Sequence, residues 1–261
     1  MSCRQKPEQP GQRDGQGDQV HLLGVRIDLL SMEEAVARIE QFIQDGSPHH
    51  VVTADASAIL RAYEDPRFRE ILGNASLVVP DGIGVVWAAR LFGCHVPERV
   101  PGVELVERLC ALSAEKGYTV FLLGAAPGVA EEAARVLSTR YPGLRVVGTH
   151  HGYFRPEEEE GILARIQGNR PHLLFVALGV PAQEAWIARH RDILGVPVSI
   201  GVGGSFDVLS GRLRRAPRWM QRLGLEWLFR LLQEPWRWRR ILALPRFVWL
   251  VAKARVSRGG V

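Results

Sequence analysis

Residues 119–141 read TVFLLGAAPGVAEEAARVLSTRY: an apolar run, a glycine-rich turn and an alanine-rich charged segment. The first six residues have the content of a strand that is buried on both faces. The segment from Val129 carries acidic residues early and arginines late, as the helix macrodipole favours. Pro127 stands where we expect the first helical residue, a position that suits proline. The stretch therefore predicts a strand followed by a helix.

The same alternation recurs along the chain. Ser31 and Glu34 form a predicted capping box that opens a helix. Predicted strands are 20–30, 49–55, 76–80, 119–124, 144–150, 172–179 and 196–204. Predicted helices are 31–44, a stretch from 56 to 63, 83–92, 103–116, 129–141, 156–167 and 181–193. Apolar strands separated by helices predict a mostly parallel sheet with helices on both faces, a doubly wound, Rossmann-like α/β fold.

Composition divides the 261 residues into three predicted parts. Residues 1–19 are polar and glycine-rich, which predicts a disordered leader and excludes a secretory signal. Residues 20–211 form the predicted α/β domain. Residues 212–261 hold 13 Lys or Arg and two Glu, a net charge of +11, which predicts a basic helical appendage. No run of about 18 apolar residues occurs, so we predict no transmembrane helix.

The three cysteines show no Cys-x-x-Cys spacing, which fits a reducing cytoplasm and gives no sign of a zinc site. The sequence also lacks Asp-x-Asp at a strand end, HExxH, and a Gly-x-Ser-x-Gly context for Ser205. We therefore expect neither a metal nor a cofactor, and no serine-esterase chemistry.

Polar residues and glycines recur where the predicted strands end. In doubly wound sheets, ligands bind outside the carboxyl ends of the strands. The strand ends in question are 53–55, 81–84, 124–128, 150–152, 179–184 and 201–207. We take this edge of the sheet as the candidate active site.

Two of these strand ends are rich in glycine. Gly124 begins GAAPGVAEE, which suits either a phosphate that meets free backbone N–H groups or a simple strand-to-helix turn. Gly203 lies in GVGGSFD, whose backbone can likewise pass close to a ligand. Neither stretch matches GxGxxG or a P-loop, so the dinucleotide and nucleoside-triphosphate fingerprints are both missing.

Four carboxylates follow strand ends: Asp55, Asp81, Asp207 and Glu184. A carboxylate with restricted hydration can act as a general base, whereas capping a helix or forming a turn is the simpler role for each. Asp81 precedes Gly82 and is predicted to be the N-cap of the helix that begins near Ile83.

Taken in order, several blocks of the chain resemble the WecG/TagA/CpsF family of bacterial glycosyltransferases. The blocks are VVPDGIGVVWAAR (78–90), ERVPG (98–102), VFLLGAAPGVAEEAA (120–134), YPGLRVVGTHHGYF (141–154), LLFVALGVPAQEAWI (173–187), GVGGSFDVLSGRLRRAPRWM (201–220) and LEWLFRLLQEPWRWRR (225–240). The resemblance implies metal-independent, inverting transfer of an N-acetylmannosamine-type sugar from a UDP donor. The implied acceptor is N-acetylglucosamine on undecaprenyl diphosphate at the cytoplasmic membrane face, in teichoic acid linkage or polysaccharide synthesis.

The resemblance also implies roles for particular residues. Asp81 would be the general base and Thr53 would contact the substrate. Arg99 and Gln183 would hold the donor and its diphosphate. The glycine-rich strand ends add Gly124 and Gly203 as our candidates for the donor side. The arginines implied for the appendage are Arg230, Arg237 and Arg240.

One position departs from the family pattern. The family reads Thr-x-Asn where this chain has Thr53 and Asp55. A carboxylate only accepts hydrogen bonds, whereas an amide also donates them. Asp55 is therefore either a sugar contact or a rival to Asp81 as the base, and we favour Asp81.

The appendage combines arginines with five tryptophans. This composition suits a peripheral membrane helix, a helix packed on its own domain, or a single-stranded nucleic acid site. With a lipid-linked acceptor implied, we predict membrane contact at the inner face of the cell membrane and no nucleic acid partner. A homo-oligomer is one of the states that the sequence leaves open.

The alternatives differ in donor or in reaction class. The donor could be a UDP-N-acetylmannosaminuronic acid or UDP-glucose type of sugar. A nucleotide-sugar oxidoreductase or epimerase on the same fold would need the dinucleotide fingerprint that is missing here. A nucleic-acid-binding protein would rely on the basic appendage alone.

Overall fold

A computed structural model describes residues 3–4, 19–235, 238 and 243–256. The strands are β1 (Cys3–Arg4), β2 (Gln19–Leu22), β3 (Val25–Asp28), β4 (His49–Ala54), β5 (Leu77–Pro80), β6 (Thr119–Gly124), β7 (Arg145–His150), β8 (Leu173–Ala177) and β9 (Val198–Gly201). The helices are α1 (Met32–Asp45), α2 (Ala56–Glu64), α3 (Pro66–Gly73), α4 (Ile83–Leu91), α5 (Gly102–Lys116), α6 (Val129–Arg140), α7 (Pro156–Asn169), α8 (Ala182–Leu194), α9 (Ser205–Leu209), α10 (Arg218–Arg222), α11 (Glu226–Gln233) and α12 (Ala243–Val256).

Six strands form one sheet in the order β5-β4-β9-β8-β6-β7. The pairs β4–β9, β9–β8, β8–β6 and β6–β7 are parallel. The central strands β6, β8 and β9 are buried along their whole length, as expected of a parallel sheet covered by helices. These features confirm the predicted Rossmann-like α/β fold.

The chain divides into two compact units. Unit 1 comprises Met1–Ala35, Ala54–Val100 and Ala216–Val261, and unit 2 comprises Val36–Thr53 and Pro101–Arg215. The predicted boundary at residue 212 stays a prediction.

Unit 2 has an apolar core between the sheet and the helices α7 and α8. Phe121 of β6, Leu174 of β8 and Ile187 of α8 are fully buried members of this core. Burial of each such side chain contributes about 1.5–3 kcal/mol, so the parallel strands and these helices stabilise one another.

Unit 1 contains a small antiparallel sheet in the order β1-β2-β3. The predicted strand 20–30 was wrong in one respect: it is two strands that turn at Leu23 (φ 49°) and Gly24 (φ 88°). The buried carboxylate of Asp28 accepts from the Val78 amide of β5 at 2.8 Å and from Gln19 at 2.8 Å. These bonds satisfy a buried charge and fix β3 beside β5.

Two of the residues within the predicted leader form β1, Cys3–Arg4, which pairs antiparallel with β2. Gln19 begins β2. The remaining leader positions, 1–2 and 5–18, lie outside the described residues.

Of three predicted helix starts, one is confirmed and two differ from the structure. The capping box at Ser31 and Glu34 is confirmed by reciprocal bonds of 2.8 and 3.2 Å. Pro127, however, precedes the cap of α6, because Gly128 (φ 83°) is the cap and Val129 the first helical residue. The predicted N-cap role of Asp81 was also wrong, because the extended residue Gly82 caps α4 without a side-chain hydrogen bond.

Among the described residues of the appendage, helices α10, α11 and α12 form. Helix α12 packs on α2 and α4 and buries Phe247 and Val251 completely. A Cβ on Gly84 of α4 would lie 3.9 Å from Phe247, so the two helices approach closely there. None of the helices in the described ranges has the length and apolar character needed to cross a membrane.

Candidate functional site

Asp55 follows β4 and caps helix α2. Its Oδ1 accepts from the Ala58 amide at 2.8 Å and from the Ser57 hydroxyl at 2.6 Å. The residue has the extended backbone of an N-cap and is exposed. Asparagine caps helices about as well as aspartate, because both offer a side-chain oxygen. The departure from the family's asparagine therefore preserves this local role.

Asp81 follows β5 and lies next to Asp55 in unit 1. Its amide donates to the carbonyl of Ala54 at 3.0 Å. A Cβ built on Gly82 would be 3.4 Å from the Cβ of Asp55, so the two strand ends are in contact. The carbonyl of Pro80 accepts from Val100 at 2.8 Å, which brings the loop that carries Arg99 to the same strand end.

Thr53 lies at the end of β4 in unit 2, where it is buried. Its hydroxyl donates to the carbonyl of Gly201, the last residue of β9, at 2.9 Å. A Cβ on Gly102 would lie 3.3 Å from this hydroxyl and 3.4 Å from that of Ser205. Because the Thr53 proton is used inside the protein, the hydroxyl meets any further partner as an acceptor.

Gln183 connects two glycine-bearing turns of unit 2. Its side chain is buried, and Oε1 accepts from the amides of Gly203 at 2.9 Å and Gly179 at 3.2 Å. Its Nε2 donates to Oε1 of the buried Glu184 at 2.7 Å. The amide of Gln183 thus fixes the positions of both turns.

Gly124 and Gly203 have different surroundings. Gly124 (φ 133°) could not carry a side chain, since a Cβ would lie 2.5 Å from the backbone of Ala177. The close approach of the Ala177 backbone thus requires a glycine at this position. Gly203 (φ 54°) faces open space, with nothing within 4 Å of a Cβ. A ligand could approach the backbone at Gly203 more closely than at Gly124.

Two predicted diphosphate-binding arginines lie in described parts of unit 1. Arg99 donates through Nη1 to Oε2 of Glu226 at 2.7 Å, and both side chains are about four-fifths buried at 19% and 24% exposure. Arg230 donates through Nε to Glu234 at 3.2 Å. Arg237 and Arg240 lie outside the described residues.

The appendage presents large apolar side chains to solvent beside its basic residues. Helix α11 has a strongly one-sided apolar surface yet no fully buried residue. Lys253 lies 5.2 Å above the ring of Trp249. The exposed apolar residues of α10 to α12 and their connections are Trp219, Leu223, Trp227, Leu232, Trp238, Val248, Trp249 and Val256.

Two residues of the site region were not singled out from the sequence. The carbonyl of Gly201 accepts from Thr53, and a Cβ built on Gly201 would lie 2.6 Å from Nε2 of Gln183 and 2.6 Å from Oε1 of Glu184. The signal for Gly201 was its place as the last residue of an apolar strand and the first residue of GVGG (201–204). Glu226 was counted only as a charge, although it stands four residues before Arg230 and is one of two acids in the appendage.

A surface cleft in unit 2 contains none of the predicted site residues. It lies between α6, β7 and α7 and is lined by Arg135, Gly148 and Arg165 among others. Within the described part of the chain, no cluster of three or more His, Cys, Asp or Glu residues could hold a metal.

Comparison with known proteins gives a consistent match over most of the chain. Residues 20–260 match the family described as "Glycosyl transferase WecG/TagA/CpsF family". A Bacillus spizizenii protein is 38% identical over 203 residues, 78% of each chain, and is named N-acetylglucosaminyldiphosphoundecaprenol N-acetyl-beta-D-mannosaminyltransferase. A Staphylococcus aureus protein with the same name is 35% identical over 238 residues, which are 90% of this chain and 93% of that one.

Proposed function

The chain belongs to the WecG/TagA/CpsF family of glycosyltransferases, and on this premise we propose its substrates and mechanism. It is a hexosyltransferase that acts on N-acetylglucosamine carried by undecaprenyl diphosphate and adds an N-acetylmannosamine-type sugar. The observation that carries this proposal is the match to relatives named N-acetylglucosaminyldiphosphoundecaprenol N-acetyl-beta-D-mannosaminyltransferase. These relatives are 35–38% identical to this chain over most of both chains. We propose that the donor is UDP-linked and that the product enters a teichoic acid linkage or a polysaccharide.

The proposed reaction is a single inverting displacement. The general base takes the proton of the acceptor hydroxyl, whose oxygen attacks the anomeric carbon as the bond to UDP breaks on the opposite face. We assign the base to Asp81. Support comes from Asp55, whose Oδ1 already accepts two hydrogen bonds as a helix cap. Those two bonds commit this oxygen of Asp55 to the helix cap.

The departing diphosphate needs positive charge around it. Arginine binds phosphate oxygens in a fork of two hydrogen bonds, which stabilises the leaving group as it forms. We propose Arg99 and Arg230 for this role, together with Arg237 and Arg240 from the appendage. Arg237 follows Arg230 by seven residues and Arg240 follows Arg237 by three, although Pro235 interrupts the segment.

The remaining site residues shape the donor side in this proposal. Gln183 holds the Gly203 turn in place, and the open space above Gly203 allows a ligand to approach the backbone. Thr53 offers its hydroxyl as an acceptor to the substrate. Gly124 contributes by allowing β6 and β8 to approach closely.

Membrane contact through the appendage is part of the proposal. Exposed tryptophans beside lysine and arginine suit the interface of an anionic bilayer. Such a surface would bring the enzyme to a lipid-linked acceptor at the inner face of the cell membrane.

The experiment that tests the proposed function is a donor panel. The purified protein is given UDP-N-acetylmannosamine, its uronic acid form, UDP-N-acetylglucosamine or UDP-glucose, with a short-chain lipid-diphosphate N-acetylglucosamine acceptor. Acceptor-dependent UDP release with the first donor is expected. Release with a different donor alone would correct the sugar, and no release with any would contradict the proposed function.

A further inference from the structure

The face of helix α11 that carries Arg230 also carries two glutamates. Glu226, Arg230 and Glu234 are spaced by four residues and therefore follow one side of the helix and its C-cap. Glu226 contacts Arg99 and Glu234 contacts Arg230, so charges alternate along this side. Glu226 and Glu234 are the two acidic residues of the appendage (residues 212–261), which has 13 lysine or arginine residues.

The contact between Arg99 and Glu226 joins parts of unit 1 that are 127 residues apart in sequence. Helix α11 has no fully buried residue, so apolar burial alone anchors it weakly. A short charge-assisted hydrogen bond between two largely buried side chains supplies a directional attachment instead. Glu226 lies in the first turn of α11, where the helix dipole favours a negative charge.

The geometry of the Arg99–Glu226 contact shows whether Glu226 orients the Arg99 guanidinium or occupies the edge that would bind a phosphate. Glu226 is bonded to Nη1, which leaves the edge formed by Nε and Nη2 outside this contact. That edge presents two parallel N–H groups, the arrangement that binds a phosphate in a fork. A carboxylate at one corner of a guanidinium fixes its plane without occupying the opposite edge.

We propose that Glu226 is a positioning residue for the donor diphosphate. It orients the Arg99 guanidinium and, through the same bond, sets the place of α11 and hence of Arg230. Glu226 does not itself touch the substrate. This inference rests on the proposed function, because it takes UDP as the anion that Arg99 and Arg230 bind.

A double-mutant cycle tests the proposal. The variants are Glu226→Gln, Arg99→Gln and the combination of both, assayed for UDP affinity by calorimetry and for the KM of the donor and kcat. We expect Glu226→Gln to weaken UDP binding and raise KM by about five- to tenfold, because a neutral acceptor replaces the charged one and holds Arg99 less firmly, with kcat little changed. Because Glu226 acts through Arg99, the double variant should be no worse than Arg99→Gln alone.

Two further variants separate positioning from folding. Glu226→Asp keeps the carboxylate and should recover part of the UDP affinity. Glu64→Gln is a matched control, since Glu64 makes an ion pair with Arg246 of α12 in the same unit. It should leave UDP affinity at the wild-type value, and thermal unfolding of every variant checks that the fold is retained.

The outcomes are distinct. Unchanged or tighter UDP binding by Glu226→Gln would overturn the inference, since tighter binding means that the glutamate competes with the ligand. Full additivity in the cycle would overturn it as well. A wild-type chain that neither binds UDP nor transfers sugar would overturn the proposed function, and the inference with it. Normal wild-type activity beside an unaltered Glu226→Gln variant overturns the inference alone.

Discussion

The amide of Asp81 donates to the carbonyl of Ala54 at 3.0 Å and so fixes the end of β5 beside the end of β4. The next residue after Ala54 is Asp55, whose carboxylate turns into helix α2 as its cap. The carboxylate of Asp55 is thus committed to a helix cap at the end of β4. For this reason we propose Asp81, and not Asp55, as the base.

The cap at Asp55 leads to a prediction about stability. Replacing Asp55 with alanine removes the acceptor for the Ala58 amide, and we expect the free energy of unfolding to fall by about 1 kcal/mol. Asp55→Asn keeps a side-chain oxygen and should stay close to wild type. Urea unfolding of both variants measures the two values. Equal losses in alanine and asparagine variants would show that the charge, and not the cap, is what matters.

Gly201 leads to a prediction about packing. The new methyl group of Gly201→Ala would lie 2.6 Å from polar atoms of Gln183 and Glu184, which are buried and cannot swing into solvent. We expect a loss of about 1–3 kcal/mol in the free energy of unfolding. Gly161→Ala is the matched control, because this helical glycine has nothing within 4 Å of a Cβ. The control should gain about 0.5–1 kcal/mol, and a gain in both variants would contradict the packing described here.

His50 leads to a prediction about pH. Burial, with the charge of Arg191 as a second cause, lowers the pKa of this histidine from 6.5 to about 3. Below pH 6.5, His50 is protonated in the unfolded chain but stays neutral in the folded chain. The free energy of unfolding should therefore fall as the pH drops from 6.5 towards 3, by up to about 1.4 kcal/mol per pH unit from this residue.

The measurement for His50 is urea unfolding at a series of pH values. Between pH 6.5 and 4, the free energy of unfolding of His50→Leu should depend less steeply on pH than that of the wild type, by up to the contribution of one bound proton. Above pH 6.5 the two slopes should be the same. The exposed His21 provides the control as His21→Gln. If the wild-type slope persists in His50→Leu, this histidine is not the group that the folded chain keeps neutral.

The exposed tryptophans of the appendage lead to a prediction about lipid. In the triple variant, serine replaces Trp219, Trp227 and Trp249 at once. Its binding to vesicles of anionic phospholipid should fall by at least about tenfold, because each tryptophan ring contributes apolar area at the interface. Flotation of the protein with vesicles measures this binding. Replacing Tyr63 and Ile193, also exposed, serves as the control. Wild-type flotation of the tryptophan variant would remove the appendage from the account of membrane contact.

The repeated strands and helices could be predicted from the sequence, because runs such as TVFLLG are apolar throughout and helices follow them. The break at Leu23 and Gly24 was missed, although a glycine inside an apolar run is a signal for such a turn. Asp81 was mistaken for a helix cap because it precedes the true cap, Gly82, by one residue. Cap position depends on backbone angles that a sequence does not show.

Side chains that act over long sequence distances were the hardest part of the site to predict. The family resemblance indicated Arg99 and Gln183, yet their partners come from tertiary structure. Glu226 lies 127 residues from Arg99, and Gly203 lies 20 residues from Gln183. Neither pairing has a spacing pattern that a sequence could reveal.

The comparison of Asp81→Asn with Asp55→Asn tests the central claim most directly. Each purified variant is assayed for transfer from UDP-N-acetylmannosamine to a lipid-diphosphate N-acetylglucosamine acceptor, and for UDP affinity. We expect Asp81→Asn to lose transfer by at least about 100-fold with UDP affinity retained, as removal of a general base requires. Asp55→Asn should transfer at close to the wild-type rate. Normal transfer by Asp81→Asn, with the loss found in Asp55→Asn instead, would contradict the assignment.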